Sequence, residues 1–522
     1  MGMKYSAILL LLLMQVTDAQ LPIPASTFSV TAKPSAAFVT ATDWRSTVEE
    51  RDRPAFVQML PAPRSADRDT QDKTLSLEEA VVLSLRSNPD LRIAERERII
   101  AKFNLGLAHH AYEPTWQWTV DANWMQQDHP RYNSALGVNW QSPIGTKVGL
   151  SLAPNTETSR GVGTATLNVS QPLIRGFGTA VNTIAWHNAL DAENQSRLNF
   201  QSMIINQINA VVFAYRQWLA DDQQQAVRAR QYQQEIAQLR SLTAEYKAGR
   251  RPLNDVLQQK VNIQNTHLMQ LDQQRQIIDD RQKLLAILGL SPSVTLALPQ
   301  HRLKMEVPAI PSKAESIQLA LEKNNQYQQL KLSIQAATRA VSQAKDQARW
   351  QLDLEGTVAW NGVKTRMDFP SDITGDNSFI VTQPKMPMSV GLHLSVPLDT
   401  VQIKQGIMQA VVNLQTATTR LQQFKDNLMR QVTNQWEILH NQQQRLRVAQ
   451  SQLQYQQRVV QQSQLKYQYG RMTLFELNTL KNQWLQQQTS FIASQIGLLN
   501  QATTFEALLG VTLDKWHIQV RY

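Results

Sequence analysis

Trp116-Gln-Trp-Thr-Val-Asp-Ala-Asn-Trp124 alternates without interruption: Trp116, Trp118, Val120, Ala122 and Trp124 share one face, and Gln117, Thr119, Asp121 and Asn123 the other. Side chains of an extended strand point alternately to opposite faces, so this stretch is a strand with one apolar and one polar side. A second stretch repeats the pattern, with Trp350, Leu352, Leu354, Val358 and Trp360 against Gln351, Asp353, Glu355 and Thr357. The strands expected to partner them alternate too: Ala165, Leu167 and Val169 in one case, Met388, Val390, Leu392, Leu394 and Val396 in the other. The plainer home for such strands is a sandwich with one wet face. Three features favour a membrane instead. The strands have about 9–11 residues, enough to cross a bilayer at ~45° tilt. Tryptophans Trp116, Trp124, Trp350 and Trp360 stand at strand ends, as in interfacial aromatic girdles. The polar face carries Asp121, Asp353 and Glu355, which suit a water-filled lumen.

Counting then constrains assembly. Four strands are clear, whereas the smallest bacterial barrels have about eight, and open edges are not tolerated in lipid. If these strands span a membrane, several chains share one barrel. Residues 135–140 and 147–152, joined by Pro143-Ile-Gly145, form a possible further hairpin, inside the barrel or outside it.

The strands sit inside a duplicated unit. Glu79-Ala-Val-Val-Leu-Ser-Leu-Arg-Ser-Asn88 is echoed by Glu315-Ser-Ile-Gln-Leu-Ala-Leu-Glu-Lys-Asn324, and Leu167-Asn-Val-Ser-Gln-Pro-Leu173 by Leu392-His-Leu-Ser-Val-Pro-Leu398. Tyr246-Lys-Ala-Gly249 pairs with Tyr467-Gln-Tyr-Gly470, and Leu288-Gly289 with Leu509-Gly510, both at an offset of 221. Each unit reads as a helical stretch (76–111, 313–349), strands, a very long helix (181–247, 403–467), a glycine turn and a return helix (254–288, 475–509). The long helices carry a coiled-coil seam: Ile204, Ile208, Val211, Tyr215 and Trp218 in one, Ile407, Ala410, Leu414, Ala417, Leu421, Phe424 and Leu428 in the other. At 1.5 Å per residue each makes a rod of roughly 100 Å. A fibrous dimeric coiled coil would share this seam, but the glycine turns fold each rod back within one chain.

Composition agrees. Across 522 residues there are 19 glycines and 18% charged residues, both low, and no cysteine. The absence of cysteine excludes disulfides, thiol catalysis, cysteine-ligated metals and a lipidated cysteine. Mean hydropathy is −0.36, and past the first fifteen residues no run is apolar enough for a spanning helix. Residues 1–19 read as a secretory signal, with Lys4, an apolar run from Ala7 to Met14, and cleavage between Ala19 and Gln20. Residues 20–73 are Pro/Ala-rich and read as a disordered tether. The first repeat is expected over 74–295, a linker over 296–312 and the second repeat over 313–522.

From residue 75 to 513 the chain resembles the TolC-like outer-membrane efflux proteins, the outer membrane factors. The resemblance rests on Leu75-Ser-Leu-Glu-Glu-Ala80 with Asn88-Pro89, the strand-to-helix junctions at Pro172 and Pro397, both glycine turns, and Leu253-Asn-Asp-Val-Leu257. It implies a homotrimer in the outer membrane of a Gram-negative bacterium, with a twelve-stranded barrel continuing into a helical periplasmic tunnel. It further implies a passive exit duct that works with an inner-membrane pump (ABC or RND type) through a periplasmic adaptor, or membrane fusion protein. Small-molecule efflux and type I polypeptide secretion are left open, and so is a periplasmic coiled-coil structural or adaptor protein without a barrel. The matching tip or gate acids are Asp255 and Glu476, and the positions three on, Gln258 and Thr479, are not acidic. Gly249, Arg250, Arg251, Gly470 and Arg471 match adaptor-docking turns; ordinary solvated turn charge explains the arginines equally well. Helix N-terminal stabilisation is an equally good account of the two acids.

No catalytic, phosphate-binding or metal-binding pattern stands out, so no enzyme and no cofactor are expected. His109-His110 has no carboxylate at obvious ligand spacing. Net charge is +10, yet the basic residues are scattered among acids, which argues against nucleic acid. The closing Trp516, Ile518, Val520 and Tyr522 alternate, as a terminal strand or a barrel-assembly signal would.

Overall fold

The computed structural model describes residues 73–123, 131–153, 163–298, 309–363 and 386–520. The expected signal segment with its Ala19/Gln20 cleavage site, the tether up to residue 72, Trp124 and Tyr522 lie outside the described residues. After a two-residue strand β1 (Lys73–Thr74), helices α1 (Leu77–Ser87) and α2 (Pro89–His110) lead into β2 (Thr115–Asn123), β3 (Arg131–Gln141), β4 (Lys147–Ala153) and β5 (Gly163–Pro172). The short α3 (Thr179–Asn182) precedes the long α4 (Ile184–Lys247), which reverses into α5 (Leu253–Leu288) and the short β6 (Leu296–Ala297). The second copy runs α6 (Lys313–Lys323), α7 (Asn325–Gln347), β7 (Gln351–Val363), β8 (Met388–Ser395), α8 (Val401–Gln468), α9 (Leu474–Leu509) and α10 (Thr512–Lys515). The internal duplication is thus one order of elements built twice, with β1 and β6 pairing in parallel beside it.

The helical stretches expected over 76–111 and 313–349 are each two helices, and side-chain capping is the reason. Ser76 starts α1 with a capping box: its hydroxyl accepts from Glu79 N at 3.2 Å, and the Glu79 carboxylate accepts from Ser76 N at 3.0 Å. At the break, Asn88 Oδ1 accepts from the N–H groups of Asp90 (2.7 Å) and Leu91 (3.2 Å), while Pro89 has no N–H to offer. Asn324 makes the same break without a proline, accepting from Tyr327 N at 3.1 Å. Both asparagines also donate across to the end of the return helix, Asn88 to Ile287 O at 3.3 Å and Asn324 to Leu508 O at 3.1 Å. The return helices end on left-handed glycines, Gly289 (φ +70°) and Gly510 (φ +78°), pressed against the broken pair. A Cβ there would lie 2.8 Å from Ser87 O and 2.5 Å from Lys323 O respectively.

The coiled-coil seam is where the packing lies. Ile204, Ile208, Val211, Tyr215 and Trp218 are all at most 4% exposed. Their counterparts in α8 are buried (Ala410, Leu428) or half-buried, and every seam position is less exposed than its immediate neighbours over 407–421. Helices α2, α4, α7 and α8 pack side by side in that order, with α5 and α9 folded back against α4 and α8. A second core, around Leu428, Val432, Leu439, Leu498, Phe505 and Leu509, joins α6, α8 and α9.

The four strands expected from sequence are in one antiparallel sheet, and so is the pair whose place was open. The order is β2-β3-β4-β5-β7-β8. Here the expected pairing is corrected: β2 does not lie against the strand holding Leu167 but against β3, with β4 between β3 and β5. The physical reason is that β3 and β4 present the same alternation as their neighbours and fit between them in register. The terminal alternation also reads differently in space. Residues 516–518 continue the end of α10, with Trp516 N donating to Thr512 O (3.2 Å) and Ile518 N to Leu513 O (3.0 Å), so these N–H groups are not free for a strand ladder.

Candidate functional site

Two ends of the molecule hold the candidate residues: the sheet and the helix tips. In the sheet, register partners form continuous rows. Trp116, Val138, Leu150, Leu167, Val358 and Met388 face each other in succession across all six strands. The next row is Trp118, Leu136, Leu152, Ala165 and Trp360, and another is Trp140, Val148, Val169, Gly356 and Val390. The opposite face reads Thr115, Asn139, Gly149, Asn168, Thr357 and Ser389, then Gln141, Lys147, Ser170, Glu355 and Gly391. One face is therefore apolar and the other polar over the whole width. In the single chain the apolar face is bare on the edge strands, with Trp116 and Trp118 each 72% exposed and Val390 78%, and mostly half-buried on the middle strands. The two edges, β2 and β8, have no further neighbour among the described residues. An exposed apolar face flanked by open strand edges is unstable in water and calls for lipid on the face and another strand at each edge.

At the helix end of the sheet the strands are locked to the helices. Trp350 immediately precedes β7, and Trp140, near the end of β3, donates from its indole to Tyr112 O at 2.9 Å. Sequence reasoning missed Trp140, although an aromatic on the apolar phase of residues 135–140 was the available signal. Trp360 shares its row with Trp118 and has three strand residues beyond it. Pro172 closes β5 and Pro397 follows β8 by two residues, each where a ladder N–H is no longer needed. Beside Pro172, a polar recess of about 550 Å³ is bordered by Lys147, Arg175, Asp346 and Asp353. Asp346 Oδ2 accepts there from Gly176 N at 2.8 Å, joining the first copy's junction to the second copy's α7.

At the other end, Gly249 and Gly470 both turn at φ +69°. Each lets the next N–H reach back to the helix, Arg250 N to Glu245 O and Arg471 N to Lys466 O, both at 2.9 Å. Arg250 and Arg471 are exposed. Arg251 is turned inward: its guanidinium lies 4.6 Å from the Tyr467 ring, its Nε 3.0 Å from Glu245 Oε2, and its Nη1 3.9 Å from Asp255 Oδ2. Tyr467 is buried with Leu242, Val256, Leu474 and Leu477, and burial pushes its hydroxyl above the usual range. Arg251, flanked by Glu245 and Asp255, thus ties the first copy's turn to the second copy's helix. Glu476 is engaged differently. Its carboxylate accepts from Thr473 N and from Thr473 Oγ1, each at 3.0 Å, and these bonds hold it below the usual carboxylate range. The sequence candidates Asp255 and Glu476 therefore both stand in first helical turns, in α5 and α9.

His109 and His110 do have a carboxylate in reach, contrary to the spacing argument: Glu113 lies 2.6 Å from His110 Nδ1 and 3.8 Å from His109 Nδ1. Among the described residues, no three His, Asp or Glu side chains converge as a metal site would require.

A buried acid pair between α4 and α5 was not legible in the sequence. Asp221 accepts from Gln273 Nε2 and Gln217 Nε2, both at 3.1 Å, and Asp280 from Lys283 Nζ at 2.8 Å and Gln276 Nε2 at 3.1 Å. Burial, then its hydrogen bond with Asp280, pushes Asp221 up to about 6. For Asp280 burial works against the charge, but the bonds from Asp221, Lys283 and Gln276 hold it below the usual range. Of the two, Asp221 is the carboxyl that holds its proton to the higher pH.

No protein-family model matches the sequence, and no curated protein matches it. Solved structures do match the fold. The chain is similar to the outer-membrane channel OprN, at 16% identity and a TM-score of 0.61 over 83% of this chain and 89% of that one. It is similar to the Campylobacter jejuni CmeC outer membrane channel, at 13% identity and 0.59 over 94% of each chain. It is similar to the open state of the Neisseria gonorrhoeae MtrE outer membrane channel, at 12% identity and 0.60 over 86% of this chain and 96% of that one. The fold of the chain is that of these outer-membrane channels: one antiparallel sheet at the end of long, folded-back helices.

Proposed function

We propose that the chain is the protomer of a homotrimeric, non-enzymatic exit duct in the outer membrane of a Gram-negative bacterium, its helices reaching into the periplasm. The observation that supports this best is the sheet: apolar on one face, polar on the other, and open at both edges. Lipid would cover the first face, water the second, and neighbouring copies would close the edges. Helices of 64 and 68 residues continue from it, giving a wall about 100 Å long. Transport through such a wall is passive, so energy comes from an inner-membrane pump, of ABC or RND type, joined by a periplasmic adaptor. Efflux of small molecules and secretion of polypeptides fit the duct equally. Residues 1–19 would direct export, 20–73 would tether, and the repeats would run over 74–295 and 313–522 about a linker at 296–312.

Trp116, Trp350 and, from the structure, Trp140 would sit at the membrane surface nearest the helices, with Trp124 and Trp360 further along. The exposed Arg250 and Arg471, beside Gly249 and Gly470, would meet the adaptor, while Asp255 and Glu476 would line the tip opening. Changing Asp255 and Glu476 together to Ala should weaken block of the duct by multivalent cations; undiminished block removes them from the opening. Fractionation tests the placement: the protein should be recovered with outer-membrane lipid as a trimer. Recovery in the soluble periplasm would instead favour a coiled-coil adaptor without a barrel.

A further inference from the structure

The resemblance that suggests a barrel implies twelve strands, four from each of three chains, yet the described residues of this chain place six in one continuous sheet. The question is whether the extra pair, β3 and β4, belongs to the membrane wall. Its hydrogen bonding is complete on both sides: β3 pairs with β2 from Arg131 to Asn139, and β4 pairs with β5 from Lys147 to Ala153. Its alternation matches the wall: Leu136, Val138 and Trp140 meet Leu152, Leu150 and Val148 on the apolar face. On the polar face the same two strands place Gly137, Asn139 and Gln141 against Ser151, Gly149 and Lys147. A hairpin lying outside a barrel would have no reason to keep the lipid-facing phase of its neighbours.

The turn between β3 and β4 is also built into the junction. Ile144 O accepts from Gly178 N at 3.0 Å, and Ser142 N donates to Thr146 O at 2.8 Å. Gly145 takes φ +100°, and a Cβ there would lie 2.5 Å from Gly176 O and 2.9 Å from a Pro172 ring carbon. Only glycine fits where this turn meets the end of β5. The hairpin is thereby held at the helix end and cannot swing out of the sheet without breaking that packing.

We propose that each chain contributes six membrane-spanning strands, and that β8 of one copy pairs with β2 of the next to close a barrel of eighteen. This rests on the trimeric outer-membrane reading above. The strand count permits the closure: six is even, so β2 leaves the helix layer and β8 returns to it, and their pairing continues the antiparallel alternation. Both edges carry the apolar face to the join, Trp116 and Trp118 on β2 and Met388, Val390 and Leu392 on β8. At equal tilt a barrel's girth scales with strand number. With strands about 4.8 Å apart and tilted ~40°, eighteen give a diameter of about 36 Å and twelve about 24 Å. The wider wall leaves an open aqueous lumen at the membrane, as in porins of similar strand number.

The chain has no cysteine, so single cysteines can be placed at will. The full-length protein in lipid vesicles, with a bimane fluorophore at V138C, L150C, L167C or V358C, is read for quenching by nitroxide-bearing lipid tails; S151C is read for quenching by aqueous iodide. We expect V138C and L150C to be quenched by the lipid probe as strongly as L167C and V358C, and S151C by iodide. Quenching of L167C and V358C alone overturns the six-strand wall and leaves the duct standing. Quenching of none of the four overturns the duct itself. A cryo-electron microscopy count of eighteen strands in nanodiscs would agree, and twelve would refute it.

Discussion

The two copies of the repeat are alike at their centres and different at both ends. At the centre, each breaks its first helix at an asparagine, Asn88 or Asn324, and each seats a left-handed glycine, Gly289 or Gly510, against that break. At the sheet end, among the described residues, the first copy supplies β2 to β5 and the second β7 and β8. At the tip, the first copy has Arg251 where the second, at the offset of 221, has Met472. Along the rod, the buried Asp221 and Asp280 of the first copy correspond to Gln442 and Gln501 of the second. The joint that sets how helices return is therefore common to both copies. The extra hairpin, the Arg251 contact with Tyr467 and the buried acid pair belong to the first copy, so the two halves of the duplicated chain differ at both ends and along the rod.

The largest expected effect lies in the shared joint. Gly510→Ala and Gly289→Ala each force a side chain into a left-handed backbone and against a carbonyl, a cost of about 2–4 kcal/mol. Thermal unfolding of the detergent-solubilised protein should drop for both, and more for Gly510, where the approach is closer. Equal tolerance of alanine at both would mean that the joint is not what the copies share.

The buried acid pair comes next. The folded state holds the Asp221 proton up to about pH 6, whereas a free aspartate releases it near 3.8. Stability from this group is therefore full below about pH 4 and falls as pH rises through about 6. Asp221→Asn keeps an oxygen and removes the charge, so it should stabilise by about 1–3 kcal/mol at pH 8 and by almost nothing at pH 4. The matching change in the other copy, Gln442→Asp, should do the opposite at pH 8. An unfolding midpoint with the same pH dependence in wild type and Asp221→Asn would contradict this account.

The tip difference is the smallest. Arg251→Met gives the first copy the second copy's residue and removes the contact with Tyr467, at a cost of about 0.5–1 kcal/mol. Hydrogen exchange should quicken around 242–256 and 467–477 and stay unchanged in the sheet. No local change would mean that Arg251 does not tie the two turns together.

Much of this was legible because it repeats or alternates. The glycine turns, the seam from Ile204 to Trp218 and the phase of Trp116 to Ala122 each follow from residue spacing alone. The hairpin was harder because Gly137 and Gly149 interrupt short runs, and because only register against β2 and β5 shows where those runs go. The helix break at Asn324 carries no proline to announce it. Arg251 with Tyr467, and Asp221 with Asp280, are neighbours only after the rods fold back, and no local pattern encodes such contacts. The tip acids were visible as residues, and Thr473 stands at capping-box spacing before Glu476, but only geometry shows Asp255 facing Arg251.

The central claim is that this chain, assembled with copies of itself, encloses a water-filled path through a membrane. The direct measurement is single-channel conductance of the purified full-length protein in a planar lipid bilayer. The account predicts discrete, uniform current steps that multivalent cations added on the tip side reduce. A protein that inserts and is trimeric yet conducts nothing, with or without Asp255 and Glu476, would contradict it.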